Sequence, residues 1–527
     1  MERRFCLFTL FFGNCLPKTF PVKNTLLLLF LLCMLPLNAR NWGDQGDGTY
    51  RNPVLNADYS DPDVIRVGKS YYMVCSDFHY IGMQVLKSDD MVNWKIISQA
   101  YKRFDFPGWN ENKRYAGGSW APSVRYHDGK FWVYFCTYNE GLFMSNATNP
   151  AGPWSPLFCL KAVEKWEDPC PFWDDDGQAY LGRSQWRAGP IILHKMSWDG
   201  TALLDTGITI YNGPVAEGTK FYKMDGYYYL SIPEGGVGTG WQTMLRAKNI
   251  YGPYEKKVVL EQGRTSINGP HQGALVDTPK GEWWFYHFQS TEPLGRVVHL
   301  EPVRWENGWP FIGVDLDSNG IGEPVHAWAK PITSSTSFYP QTSDSFSSQT
   351  LGLQWQFNHN PANEAWSLTE RKGWLTIHAL KASQLREARN MFTQKVMGYS
   401  GEVTTEIDLS KLAEGQRAGL FCLGNLFNGI GVLRENGHTY IYLENNGVVE
   451  KNLPLTAKRI YLRITLNDLN NQHQRAFSIN GKIFTPCGLA YALKTGSWKG
   501  IRVGLFSYNT LLDSGTVYFN SFRYDFQ

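Results

Sequence analysis

The sequence predicts an all-β chain, a five-bladed β-propeller followed by a β-sandwich. Three observations carry that reading. Five segments share one layout: a turn-like residue pair, a strand, a Gly-bearing turn, then an aromatic strand. Aromatic residues make up 15% of the 527 positions, which suits a large β core and flat sugar-stacking surfaces. A stretch rich in Ser, Thr and Pro, "KPITSSTSFYPQTSDSFSSQT" (330–350), then separates the repeats from a tail of alternating apolar and polar residues.

Residues 1–39 read as an export signal. Lys18 and Lys23 precede the apolar run "TLLLLFLLCMLPL" (25–37), and "NAR" offers cleavage after Ala39. Thirteen apolar residues are too few for a membrane span, so none is expected in the mature chain. The expected location is the periplasm, the cell surface or the medium. Removing the signal takes away four basic residues (Arg3, Arg4, Lys18, Lys23) and Glu2, leaving 47 charges of each sign. With no basic run anywhere, nucleic acid is not an expected partner. The six remaining cysteines, Cys75, Cys136, Cys159, Cys170, Cys422 and Cys487, form no CxxC pair, so a zinc site is not expected.

The repeats are "DPDVIRVGKSYYMVCS" from Asp61, "APSVRYHDGKFWVYFC" from Ala121, "DPCPFWDDDGQAYLGR" from Asp168, "EGTKFYKMDGYYYLSI" from Glu217 and "HQGALVDTPKGEWWFYH" from His271. Each reads as a hairpin closed by a Gly turn, with room for two more strands before the next begins. Four-stranded units at this period are propeller blades. The inner strands of a propeller line its axis, so equivalent positions on successive blades meet. Asp61, Ala121, Asp168, Glu217 and His271 are therefore expected at one funnel. Three acids gathered there repel one another unless protons, a cation or a substrate offset the charge, so the arrangement points to chemistry. Hydrolysis of a glycosidic bond needs a carboxylic acid, a carboxylate base and something to raise the acid's pKa.

The stretches "YSDPDVIRVGKSYYMVCS", "WAPSVRYHDGKFWVYF", "EDPCPFWDDDGQAYL", "AEGTKFYKMDGYYYL", "GPHQGALVD" and "GRVVHLEPVRWENGWP" together resemble glycoside hydrolase family 43. The resemblance implies five-bladed propellers that act on arabinose- and xylose-containing glycans with inversion. It places the general base on Asp61, the pKa-modulating acid on Asp168 and the general acid on Glu217. It also gives His271 a structural calcium, or its waters, at the axis, with no cofactor needed for the chemistry. Trp120, Arg296, Phe78 and His79 become candidates for sugar contact, with packing or ion pairing as the alternative for each.

Other acids lie nearby. Asp63 shares a strand face with Asp61 if the strand is regular, and Glu167 then points away from Asp168. Asp174, Asp175 and Asp176 read as a solvated turn, and Glu234 as a rim residue or an ion-pair partner. Two departures from the family pattern, Glu217-Gly218-Thr219 for Glu-Gly-Pro and Asp61-Pro62-Asp63 for Asp-Pro-Ser, leave the shape around the terminal sugar open.

The expected domains are the propeller over 50–328, a linker over 329–345 and a sandwich over 346–527. The last resembles the concanavalin-like C-terminal domain of xylosidase-type members, a loop of which closes one side of the funnel. The expected function is inverting, exo-acting removal of terminal β-D-xylose or α-L-arabinofuranose from plant cell-wall polysaccharides and oligosaccharides. A carbohydrate-binding propeller without catalysis is the alternative.

Overall fold

A computed structural model describes residues 42–110, 114–334, 338–468 and 470–527; the export signal read over 1–39 lies outside them. Five four-stranded antiparallel sheets follow one another in chain order. Their first strands are Ser60–Val67, Trp120–His127, Trp166–Trp173, Lys220–Met224 and His271–Asp277. Each first hairpin turns on a glycine (Gly68, Gly129, Gly177, Gly226, Gly281) at φ between 63° and 85°. An L side chain pays to enter that region whether or not there is space for it. The ring closes through a short strap: Leu55 bridges Val298 of blade five just before the chain enters blade one.

The expected sandwich follows. In its strand Arg459–Asn467, Ile460, Leu462, Ile464 and Leu466 are buried in strict alternation, the pattern of a sheet with one face in the core. One sheet of this sandwich runs into the propeller. Tyr80–Ile81, within blade one, pairs antiparallel with Gln356–Asn358, so Ile81 faces Phe357 and Tyr80 faces Asn358. Buried charges reinforce the seam: Lys395 Nζ lies 2.9 Å from Asp77 Oδ1, and Arg502 Nη2 lies 3.5 Å from the same oxygen.

One irregularity recurs on the inner strands. The ladder slips between Ser60 and Asp63, between Trp120 and Ser123, and between Glu167 and Cys170. Asp61 (φ 55°), Ala121 (φ 33°) and Asp168 (φ 54°) all sit in the left-handed region at these bulges. In blade four the equivalent residue is Gly218 (φ 60°), and in blade five it is Gln272 (φ 43°). The expected alignment is therefore one residue out in two blades. Glu217 and His271 match Ser60, Trp120 and Glu167, the position before the bulge. Hairpin lengths differ between blades, so counting from the glycine turn could not reveal the offset.

Candidate active site

In blades two, three and five the bulge brings two successive residues to the axis, where a regular strand brings one. A hollow of about 440 Å³ opens there, lined from all five blades by Asp61, Trp120, Glu167, Asp168, Glu217, His271, Gln272 and Arg296. A larger hollow of about 980 Å³, between Tyr101, Phe106, Phe143 and Trp154, contains none of these axial carboxylates.

Asp61 and Asp168 are held by the same device. Asp61 Oδ2 accepts from Ser76 at 2.5 Å, and Asp168 Oδ2 accepts from Ser184 at 2.7 Å. The two serines occupy matching places, opposite Ser60 and Glu167 on the neighbouring strand. Beyond that the two acids differ. Arg296 Nη1 donates to Asp61 Oδ1 at 2.7 Å, which fixes a cation on this carboxylate. Among the described residues no cation pairs with Asp168; the backbone N–H of Gly218 donates to it at 2.8 Å. Burial, reinforced by Glu217, pushes the Asp168 carboxyl above its ordinary range.

Glu217 is the most exposed of the three, and its Oε1 lies 2.6 Å from His271 Nε2. The buried His271 Nδ1 has no partner among the described residues. Calcium takes six to eight oxygen ligands. A histidine with one nitrogen committed to Glu217 and the other standing alone supplies none of them. Nearby, the Lys220 ammonium is already lodged between the Ser123 hydroxyl, at 3.0 Å, and the Pro122 carbonyl. The residues present do not suit the expected axial calcium, and no step below involves it.

The other expectations fare differently. Trp120, Arg296 and Phe78 line the hollow. His79 does not. Its ring is fully buried at the seam with the sandwich, where Nε2 meets Asn358 Oδ1 at 2.8 Å and the backbone N–H of Ala116 donates to Nδ1. The chain leaves its blade at Asp77 to pair with the sandwich, and His79 goes with it. Asp63 is also turned aside, into a buried pair with Arg125 at 2.6 Å, because the bulge breaks the two-residue alternation. Asp174 is not a solvated turn residue: it is buried against Lys223 at 2.6 Å. Glu234 is an ion-pair partner, 2.7 Å from Lys256.

Two features went unforeseen. Glu167 does not point away: oxygens of Glu167, Asp168 and Glu217 lie within 4.8 Å of one another. The positive φ at Asp168 swings both neighbouring side chains to the axis. Burial first, then Asp168 and Glu217, drives the Glu167 carboxyl far above its usual range, so it holds a proton. The second feature is a wall of tryptophans. Trp120 packs on Trp186, with centroids 5.7 Å apart, and Trp498 from the sandwich stands edge-on to both, at 5.3 and 5.9 Å. No periodicity marks "GSWKG" as part of a pocket whose other residues lie roughly 200 to 440 positions earlier in the chain.

A propeller whose axis gathers carboxylates, joined to a sandwich that walls one side, has known counterparts. The sequence pattern described as "Glycosyl hydrolases family 43" matches residues 50–310. The pattern described as "Beta xylosidase C-terminal Concanavalin A-like domain" matches residues 343–525. A Xylanibacter ruminicola protein named for beta-xylosidase activity is 59% identical over 471 residues, 89% of this chain and 88% of that one. This chain belongs to glycosyl hydrolase family 43. A non-reducing-end alpha-L-arabinofuranosidase of Bacteroides ovatus is 30% identical over 435 residues, covering 76% of this chain and 78% of its own length. The crystal structure of the GH43 protein BlXynB from Bacillus licheniformis superposes with a TM-score of 0.80 at 27% identity, covering 90% of this chain and 99% of that one. The family 43 chain is a glycoside hydrolase, and its all-β, propeller-plus-sandwich architecture is that of its relatives.

Proposed function

We propose that this hydrolase removes single terminal β-D-xylose or α-L-arabinofuranose residues with inversion, using Asp61 as base, Glu217 as acid and Asp168 to tune the acid. One observation carries the reading: the carboxylates line a hollow to which a second domain lends Trp498 as a wall. A wall on one side favours a pocket for a chain end, and so exo action. The names of the Xylanibacter and Bacteroides ovatus relatives, one for each sugar, support a pentose in the pocket.

In the proposed reaction Asp61, oriented by Ser76 and Arg296, takes a proton from water as the water attacks the anomeric carbon. Glu217 gives a proton to the departing oxygen on the opposite face. Inversion leaves room for that water between base and acid. His271 donating from Nε2 to Glu217 Oε1 leaves Oε2 to carry the transferred proton into the pocket. Asp168, within 4.8 Å of Glu217 and fixed by the Gly218 N–H and the Ser184 hydroxyl, is placed to tune the acid. Export through residues 1–39 belongs to the same reading, since pentose polymers are met outside the cell.

The test is hydrolysis of chromogenic β-D-xyloside and α-L-arabinofuranoside, beside a natural oligosaccharide, by the mature chain and by Glu217→Gln. Activity on either sugar, reduced at least hundredfold on the oligosaccharide in the variant, is the expected result. A good leaving group spares part of the variant's rate. No turnover of any pentoside overturns the reading in favour of a binding propeller.

A further inference from the structure

We propose that His287, His299 and Glu301 form a binding site for one zinc-class divalent cation inside blade five, separate from the carboxylates of the active site. His287 and His299 are direct partners across the second and third strands of that blade, Trp283–Thr291 and Gly295–Glu306. Their rings lie nearly parallel, with centroids 5.1 Å apart. Glu301, two residues beyond His299, emerges on the same face. One ligand atom from each of the three lies within 4.8 Å of the other two, and His287 Nε2 is 3.0 Å from Glu301 Oε1.

All three side chains are at most 1% exposed. Neither ring nitrogen of His299 has a hydrogen-bond partner among the described residues. A neutral imidazole carries one donor and one lone pair, and burying both unmatched is costly, so native structures rarely do it.

The surroundings of the other two residues fit the same use. His287 Nδ1 faces the Phe288 carbonyl at 3.3 Å, an acceptor that can hold the ring proton on that side when Nε2, 3.0 Å from Glu301 Oε1, turns its lone pair to a cation. Glu301 Oε2 accepts the Val325 N–H at 2.7 Å and Oε1 accepts from Asn52 at 3.2 Å, which orients the carboxylate. Two imidazoles and a carboxylate form the donor set of three-ligand zinc sites, with a fourth position left for water. An all-oxygen ion such as calcium has no preference for it.

The site has a place in the architecture. His287 also pairs with Gly273 of the inner strand, two residues beyond His271. A cation here pins the outer strands of blade five behind the strand that presents His271 and Gln272 to the pocket. It is a positioning and stabilising element, with no contact to the reacting bond.

The test uses the full mature chain freed of any affinity tag, dialysed exhaustively and analysed for metals by mass spectrometry. About one zinc per chain is expected in the wild type and in Glu217→Gln, falling at least tenfold in His299→Ala and Glu301→Gln. Glu301→Gln keeps the volume and the acceptor for Val325, so it guards against a variant that fails to fold. Chelator-stripped wild type is expected to regain its melting temperature with zinc, and to show the visible bands of tetrahedral cobalt when loaded with cobalt. Substoichiometric zinc in the wild type, with no response of the stripped chain to zinc or cobalt, overturns the proposal. So does zinc that persists undiminished in both variants.

Discussion

Replacing Trp498 with alanine tests whether the sandwich is part of the pocket. The indole makes edge-on contacts with Trp120 and Trp186, at 5.3 and 5.9 Å. Each such pair is worth about 0.5–1.5 kcal/mol beyond its buried area. Losing both therefore costs about 1–3 kcal/mol of order in the tryptophan wall. At about 1.4 kcal/mol per factor of ten, kcat/KM is expected to fall roughly 5- to 150-fold. Most of the change should fall on KM, because a wall meets the sugar in the ground state as well as in the transition state. The assay is steady-state hydrolysis of whichever pentoside the wild type accepts. Trp498 is 45% exposed and the loss is small for a chain of this size, so the melting temperature is expected to fall by only a few degrees, which separates a pocket effect from unfolding. An unaltered kcat/KM in Trp498→Ala would refute the argument and reduce the sandwich to a stabilising appendage.

Burial pulls the Lys499 ammonium down from 10.5 to about 7, against the opposing pull of Asp58. The unfolded lysine keeps its proton to about pH 10.4, so wild-type stability rises as pH climbs from 7 toward 10, and the cost is complete below 7. Lys499→Met is thus expected to gain on the order of 3 kcal/mol more over wild type at about pH 6 than at about pH 9.5, read from urea unfolding; equal gains at both sink the idea. Glu167 has the opposite sign: its raised carboxyl favours the fold below about pH 4.5, and that advantage drains away as pH rises through the folded value. Glu167→Gln should match the wild type near pH 4 and unfold at higher denaturant near pH 8, and a variant less stable at both would show that the proton on Glu167 is not what the pocket holds. Arg296→Ala removes the cation from Asp61 and is expected to cost at least about a hundredfold in kcat/KM, with Arg296→Lys recovering only part, since an ammonium lacks the planar fork; a fully active lysine variant would mean charge alone suffices.

The positions of Asp61, Asp168, Glu217 and His271 at one axis were readable because a repeat converts sequence spacing into spatial convergence. What that spacing cannot carry is a change of strand geometry inside the repeat. The left-handed residue of blade three brings Glu167 to the axis beside Asp168, so Glu167 arrives unannounced, and the bulge of blade one sends Asp63 into a pair with Arg125. His79 was misplaced for a different reason. Its position depends on Gln356–Asn358, a partner strand nearly three hundred residues away that no local pattern signals. Trp498 belongs with it, since contacts between domains are set by shape and leave no period in the chain.

The strand exchanged between domains, Tyr80–Ile81 with Gln356–Asn358, sets how this protein can be cut. A shortened gene ending in the 329–345 linker would strand an open edge on blade one, with Asp77 robbed of the buried Lys395 ammonium. The sandwich alone would present Gln356–Asn358 as a bare template for any passing strand. Neither half is a self-sufficient module. Engineers shuffling catalytic domains, like the recombination events that assemble such enzymes, must move the two as one heritable block or rebuild the border.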